Sequence, residues 1–147
     1  MEKKEQYRLL ARQLAALLEG ENDTIAKMAN VAAVLHETFG FWWTGFYRVA
    51  GEELILGPFQ GPVACMHIPF GKGVCGTAWA RNETVVVPDV ETFPGHIACS
   101  SASRSEIVVP VHGPDGAVTT VLDIDSDRLA TFDDIDKEWL ERIVTLL

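Results

Sequence analysis

Positive charge is in short supply along this chain. Lys and Arg number 12 against 21 Asp and Glu in 147 residues, giving a formal net charge of −9. A surface of that sign repels phosphate backbones and anionic lipid, so no nucleic acid and no membrane is expected as a partner. Long apolar runs are lacking too. No stretch reaches the length of a membrane span, and the start, Met1-Glu2-Lys3-Lys4-Glu5, lacks the apolar segment of a secretory signal. The expected location is therefore cytoplasmic. Cysteine is scarce, with only Cys65, Cys75 and Cys99. An odd number without a secretion signal excludes a structural disulfide framework. Cys65, His67, Cys75, His96 and Cys99 contain no C-x-x-C knuckle and no H-x-x-x-H pair, so no metal is expected. Repeats, low-complexity tracts and interdomain linkers are also absent.

Hydrophobic residues make up 48% of the chain, enough for a real core. A chain of this length buries about two-thirds of its unfolded surface and folds without staples. One domain spanning residues 1–147 is the expectation.

The hydrophobic period changes along the chain. Lys3 to Leu18 reads as a helix with Tyr7, Leu10, Leu14 and Leu17 on one face. Asn22 or Asp23 caps a second helix carrying Ile25, Met28, Ala29, Ala32 and Leu35, which ends near Phe39-Gly40. Strands are predicted over residues 41–49, 53–56, 65–70, 84–87, 106–112 and 117–125, with a short helix over 74–80. Residues 57–62 read as a loop, and Met66, Ile68 and Phe70 as one face of a strand. Gly113-Pro114-Asp115-Gly116 is a hairpin signal. Thr131 opens the last helix with Asp134 in a capping-box position, and Ile135, Trp139, Ile143 and Leu146 or Leu147 form its apolar stripe. Hairpin-linked strands between terminal helices predict an α+β fold: a central antiparallel sheet with N- and C-terminal helices packed on it.

Gly71-Lys72-Gly73-Val74-Cys75-Gly76 matches the G-x-G-x-x-G spacing of dinucleotide sites. The preceding strand alternates as an antiparallel strand does, the following helix is too short for a crossover, and no second mononucleotide half fits. The glycines read instead as a tight turn onto a helix, and no cofactor is expected.

The thiols carry more information. Residues 90–105 have no period, and a long irregular segment in a compact domain is usually functional. Cys99 lies in it, with His96, Arg104 and the hydroxyls of Ser100 and Ser101 close in sequence. Cys75 falls in the first turn of the short helix, where free N–H groups favour a thiolate. Cys65 follows a proline-rich loop. Redox chemistry needs one activated thiolate and a second thiol within reach. Alternation puts Asp123 and Asp125 on one sheet face, and Glu106 begins a strand just after the Cys99 segment. Acids at strand ends commonly just meet solvent; beside a redox thiol they can bind an ammonium or supply a proton. Trp43 and Tyr47 share a face with Phe41 and Gly45, which suits core packing or a cradle for a sulfoxide methyl group.

Several segments together resemble the free methionine-R-sulfoxide reductases. They are Gly57-Pro58-Phe59-Gln60-Gly61-Pro62-Val63-Ala64-Cys65, Ile68-Pro69-Phe70-Gly71-Lys72-Gly73-Val74-Cys75-Gly76, Phe93-Pro94-Gly95-His96-Ile97-Ala98-Cys99, Ser105-Glu106-Ile107-Val108 and Leu122-Asp123-Ile124-Asp125-Ser126. The resemblance covers roughly residues 5–147 and implies a GAF-like fold turned to catalysis. It implies that Cys99 attacks, Cys65 resolves and Cys75 assists, with Glu106 and Asp125 among the catalytic groups. Trp43, Tyr47, Glu106, Asp123 and Asp125 match its substrate pocket. The implied reaction reduces free L-methionine-(R)-S-oxide through a cysteine sulfenic acid and an intramolecular disulfide, recycled by thioredoxin or a similar dithiol reductant. A homodimer is compatible with it. One departure is Thr119-Thr120, where the family pattern has glycine. The rival expectation is a non-catalytic GAF sensor of a small ligand or oxidant; the cysteine triad and the absence of an output domain weigh against it.

Overall fold

The computed structural model describes residues 1–97, 99 and 102–147. Helices α1 (Lys3–Leu18) and α2 (Thr24–Phe39) lead into strands β1 (Trp43–Ala50), β2 (Glu53–Gln60) and β3 (His67–Pro69). Helix α3 (Gly73–Arg81) and strand β4 (Val85–Val87) follow, then β5 (Ser105–His112), β6 (Val118–Ser126) and α4 (Asp134–Ile143). The described strands form one sheet in the order β3-β2-β1-β6-β5-β4. Every neighbouring pair is antiparallel, as the hairpin reading required. No described helix is long and apolar enough to cross a membrane.

Local chemistry fixes the element ends. The Asp23 carboxylate accepts the Ala26 N–H at 3.0 Å and caps α2, while Gly40 closes it at φ 66°. The β5–β6 hairpin closes with Gly113 N–H donating to the Ala117 carbonyl at 2.8 Å. Gly76 has no alternative: a Cβ there would lie 2.7 Å from the Pro69 carbonyl oxygen, where the turn folds onto α3.

The sheet has two apolar faces. On one, α1, α2 and α4 cover Phe46, Ile107, Val109, Leu122 and Ile124. On the other, α3 and loops cover Trp43, Tyr47, Val108 and Val121. Alternation along each strand sends successive residues to opposite faces.

Several expectations need correction. Leu18, not Leu17, is buried on α1, and Val31 replaces the exposed Ile25 and Ala29 on α2. Each helix meets the sheet on a stripe rotated from the one read in the sequence. Residues 57–60 are strand, not loop. Gly57 and Pro58 stand opposite Phe46 alone, because Gly45 pairs with Phe59 and Tyr47 with Leu56. This is a bulge, where a proline without an N–H costs the ladder nothing. β3 is only His67–Pro69, so Met66 and Phe70 are exposed while Ile68 is buried. Phe41 precedes β1 and packs with the helix-side cluster, away from Trp43 and Tyr47. The cap of α4 is Asp133, boxed with Asp136, two residues after Thr131. Thr131 instead donates to the Ser126 hydroxyl at 2.6 Å. β6 runs through Thr119 and Thr120, and Thr120 pairs with both Arg48 and Val111, but the β5–β6 register shifts here and skips Thr119.

Asp136 ties the chain ends together. Buried at 1% exposure, it accepts the Tyr7 hydroxyl at 2.6 Å, the Lys3 ammonium at 2.8 Å and the Asp133 N–H at 2.9 Å. Asp136→Ala strands the buried Tyr7 hydroxyl and removes half of the capping box. Urea denaturation should show a loss of about 1–3 kcal/mol, the cost of an unsatisfied buried donor. Tyr7→Phe, which leaves Asp136 its other partners, should cost less; the reverse order would contradict this account.

Candidate active site

Register writes the site across three strands. Trp43 pairs with Asp125 and Asp125 with Glu106, so these side chains form one row. Gly45, Asp123 and Val108 form the next row, and Tyr47, Val121 and Pro110 the third. All project on the face away from α1, α2 and α4. Gly45 lets the row close up: a Cβ there would lie 2.4 Å from Phe59 Cβ and 2.7 Å from the Trp43 ring. Trp43 accordingly stacks on Phe59 at 5.3 Å between centroids and on Tyr47 at 5.9 Å.

The acids are drawn in from solvent to different degrees. Glu106 and Asp123 are each 6% exposed, and Asp125 is partly buried. Burial pushes the carboxyls of Glu106 and Asp125 well above the usual carboxylate range, and the Asp123 charge adds to both shifts. Burial raises Asp123 as well, but hydrogen bonds from Glu106 and Cys75 oppose that rise. Asp123 Oδ1 is buried without a hydrogen-bond partner among the described residues. Ser103 donates to Asp125 Oδ1 at 3.3 Å, and His96 Nε2 lies 3.9 Å from Glu106 Oε1. Desolvation lowers the His96 pKa, which favours the neutral ring.

The thiols arrive from three directions. Cys65 and Cys99 form a disulfide across 34 residues, with Cα atoms 5.4 Å apart. The Cys65 loop is held down by the aromatic row: Trp43 N–H donates to the Pro62 carbonyl at 3.0 Å and the Tyr47 hydroxyl to the Cys65 carbonyl at 2.9 Å. The Cys99 segment starts with a 3-10 turn at Val90–Thr92. Its ends are tied by Val90 N–H to the Arg104 carbonyl at 2.9 Å and Arg104 N–H to the Ser126 carbonyl at 2.7 Å. The Arg104 side chain is exposed, and Ser100 and Ser101 lie outside the described residues. Cys75 is free and buried on α3. Its place in the first helical turn does not make it a thiolate. Burial, then the nearby Asp123, Glu106 and Asp125, raise its pKa well above a normal thiol.

A cavity of about 50 Å³ lies between these groups. Trp43, Tyr47, Cys75, Cys99, Glu106, Asp123 and Asp125 line it, and Ala64 brings the Cys65 loop to its edge. His96 also lines it, and no lysine or arginine is among its described lining residues. Trp42, Ile97 and Ser103 also line it and were missed in the sequence. Ile97 packs against Gly73 and Ser103 follows from the fixed end of the loop, contacts that no local pattern encodes. Of the five residues first weighed as a metal cluster, Cys65 and Cys99 are joined to each other. The exposed His67 lies instead against Glu53.

The GAF domain model matches residues 20–147. The free methionine-R-sulfoxide reductase of Escherichia coli is 46% identical over 148 residues, covering 100% of this chain and 89% of its own. The chain belongs to the free methionine-R-sulfoxide reductase family of GAF domains. GAF domain-containing protein A of Dictyostelium discoideum is 57% identical, covering 99% of this chain and 92% of its own. The solved free methionine-R-sulfoxide reductase of Neisseria meningitidis, in complex with its substrate, superposes with a TM-score of 0.97 at 51% identity. That match covers 99% of this chain and 88% of the other.

Burial and the acidic surroundings of Cys75 predict its reactivity. In the folded, oxidised protein a bulky aromatic disulfide reagent at neutral pH should find no fast thiol, and one thiol should appear on denaturation. Raising the pH should speed the slow reaction, because the raised pKa leaves little thiolate near neutrality. Rapid labelling of Cys75 at pH 7 would contradict its placement.

Proposed function

We propose that residues 1–147 form one catalytic domain that reduces free L-methionine-(R)-S-oxide to methionine. The observation that carries this reading is a Cys65–Cys99 disulfide at the edge of a cavity floored by three carboxyl groups, whose described lining has no lysine or arginine and a His96 ring held toward its neutral form. Such a floor lacks a positive charge, and a free amino acid brings one. The substrate complexes among its relatives support the same reading.

The chemistry follows from the positions. The Cys99 thiolate is the nucleophile toward the sulfoxide. The sulfur of the substrate is reduced, its oxygen passes to Cys99 Sγ, and one proton is taken up, leaving methionine and a cysteine sulfenic acid. The Cys65 thiol displaces that oxygen as water and closes the disulfide. Thioredoxin or a similar dithiol in a reducing cytosol then restores both thiols. Cys75 lines the same cavity and assists resolution. Trp43 and Tyr47 wall the substrate's apolar end.

The three acids divide by their partners. Asp123 keeps one buried oxygen unpaired, so it takes the substrate ammonium. Burial and the Asp123 charge raise Glu106 and Asp125, so these two hold a proton above the usual carboxylate range and supply it to the sulfoxide oxygen. A charge-assisted hydrogen bond to the ammonium is worth about 1.5–3 kcal/mol. At about 1.4 kcal/mol per factor of ten, its loss predicts roughly a ten- to hundredfold preference for free over N-acetylated substrate. The sensor alternative requires neither the disulfide nor the acid floor.

Turnover with purified R and S epimers of free methionine sulfoxide tests the reading directly. The R epimer should be reduced and the S epimer and peptide-bound forms spared; equal turnover of all three would sink the proposal. Cys99→Ser should abolish even a single turnover, whereas Cys65→Ser should release about one equivalent of methionine and then slow markedly. Full multiple turnover by Cys99→Ser would reassign the nucleophile.

The pH profile offers a further check. A raised pKa keeps the acid form populated below it, so kcat should fall as pH rises through that value. The alkaline limb should therefore lie well above the ordinary carboxylate range. Asp123→Asn should act mainly on KM, while Glu106→Gln or Asp125→Asn should act mainly on kcat. A dominant kcat effect from Asp123→Asn alone would reverse the assignment.

A further inference from the structure

We propose that the floor of this cavity is also a binding site for a borderline-soft divalent cation, Zn²⁺ in particular, held by Cys75 Sγ and the carboxylates of Asp123 and Glu106. One ligand atom from each of these residues lies within 4.8 Å of the other two, and all three residues are buried. Ligand atoms of a tetrahedral zinc centre lie roughly 3.5 Å apart, a separation that small side-chain rotations within this cluster reach. The donors come from α3, β5 and β6, which is why no sequence spacing announces them.

A cluster of acids beside one thiol would not suffice alone. The second observation is the Asp123 carboxylate itself: the residue is 6% exposed, lines the cavity, and leaves Oδ1 without a partner among the described residues. The described lining has no lysine or arginine, and His96 beside Glu106 is held toward its neutral ring, so the donors have no fixed counter-charge. One thiolate with two carboxylates suits Zn²⁺, which accepts both sulfur and oxygen, better than Mg²⁺ or Ca²⁺, which take oxygen. On binding, the Cys75 thiol proton and the Glu106 carboxyl proton leave to solvent and bonds to the metal replace them; nothing is oxidised or reduced. Water completes the coordination. The cation holds Asp123, the same group the substrate ammonium needs, so it acts as an inhibitor and not as a cofactor.

The oxidised protein gives a clean test, because Cys65 and Cys99 are then joined and Cys75 is the free thiol. Co²⁺, the spectroscopic stand-in for Zn²⁺, is titrated into disulfide-form protein while the thiolate-to-cobalt charge-transfer band is followed. The band should saturate at one equivalent and be erased by one equivalent of Zn²⁺. It should be absent in Cys75→Ser, and Co²⁺ affinity should fall at least tenfold in Asp123→Asn. Circular dichroism checks that both variants fold; if Cys75→Ser does not, Asp123→Asn decides. No band in the oxidised protein, a band that survives Cys75→Ser, or unchanged affinity in Asp123→Asn would overturn the proposal. None of these readouts involves sulfoxide reduction, so failure here leaves the proposed activity to its own tests.

Discussion

Three carboxyl groups on one face of two paired strands set the terms for the rest of this molecule. Glu106 stands directly opposite Asp125, and Asp123 is two residues along. Like charges at facing positions destabilise a sheet, and burying an ionised carboxylate without a partner costs more still. Raised pKa values are the thermodynamic record of that cost. The sign follows from linkage: a carboxyl with a folded pKa above its unfolded value weakens the fold as pH rises through that interval. At neutral pH the acid floor is therefore a net burden on the unliganded protein. The opposite face offsets it, with three helices closing an aliphatic cluster over Ile107, Val109, Leu122 and Ile124, the residues alternating with the acids.

Alternation makes this division possible. Each of β5 and β6 carries its stabilising residues on one parity and its chemical residues on the other. Substitutions on the two faces should therefore separate into those that act on stability and those that act on the site. Tyr47 and Trp43 link the two functions of the cavity face. Their rings pack on the floor, and their polar ends hold the carbonyls of Cys65 and Pro62. The loop that presents Cys65 is thus anchored by the same aromatics that shape the pocket.

Much of this was legible in the sequence because periodicity is a local signal. The helix Lys3–Leu18, the cap at Asp23 and the hairpin at Gly113–Gly116 follow from neighbouring residues alone. The pairing of Asp123 with Asp125 on one face is equally local. What escaped depends on distant partners. Residues 57–60 read as a loop because Pro58 is unfavourable in a regular strand, and only the bulge opposite Phe46 accommodates it. Leu17 and Leu18 differ by a rotation that only the sheet beneath decides. Trp42, Ile97 and Ser103 reach the cavity through contacts across the chain. The burial of the acids was not legible either, since acids at strand ends usually meet solvent. The thiolate expected at Cys75 failed for the same reason, because its first-turn position said nothing of the carboxyls beneath it.

That failure explains where a nucleophile can stand. A thiol on the cavity floor shares its environment with three carboxyl groups, and each ionised carboxylate makes loss of its proton harder. The floor therefore stabilises cations and neutral acids and is the wrong place to form a thiolate. In the proposed reaction an attacking sulfur approaches from the rim, on a segment tied at Val90 and Arg104. Cys99 meets that condition: it lines the cavity and already reaches Cys65. In the proposed reaction the anion-forming sulfur comes from the segment between β4 and β5 and the proton-holding acids from the strands, which keeps two opposed demands apart. One calls for an environment that lowers a pKa and the other for one that raises it, and a single rigid surface of this charge could meet only the second.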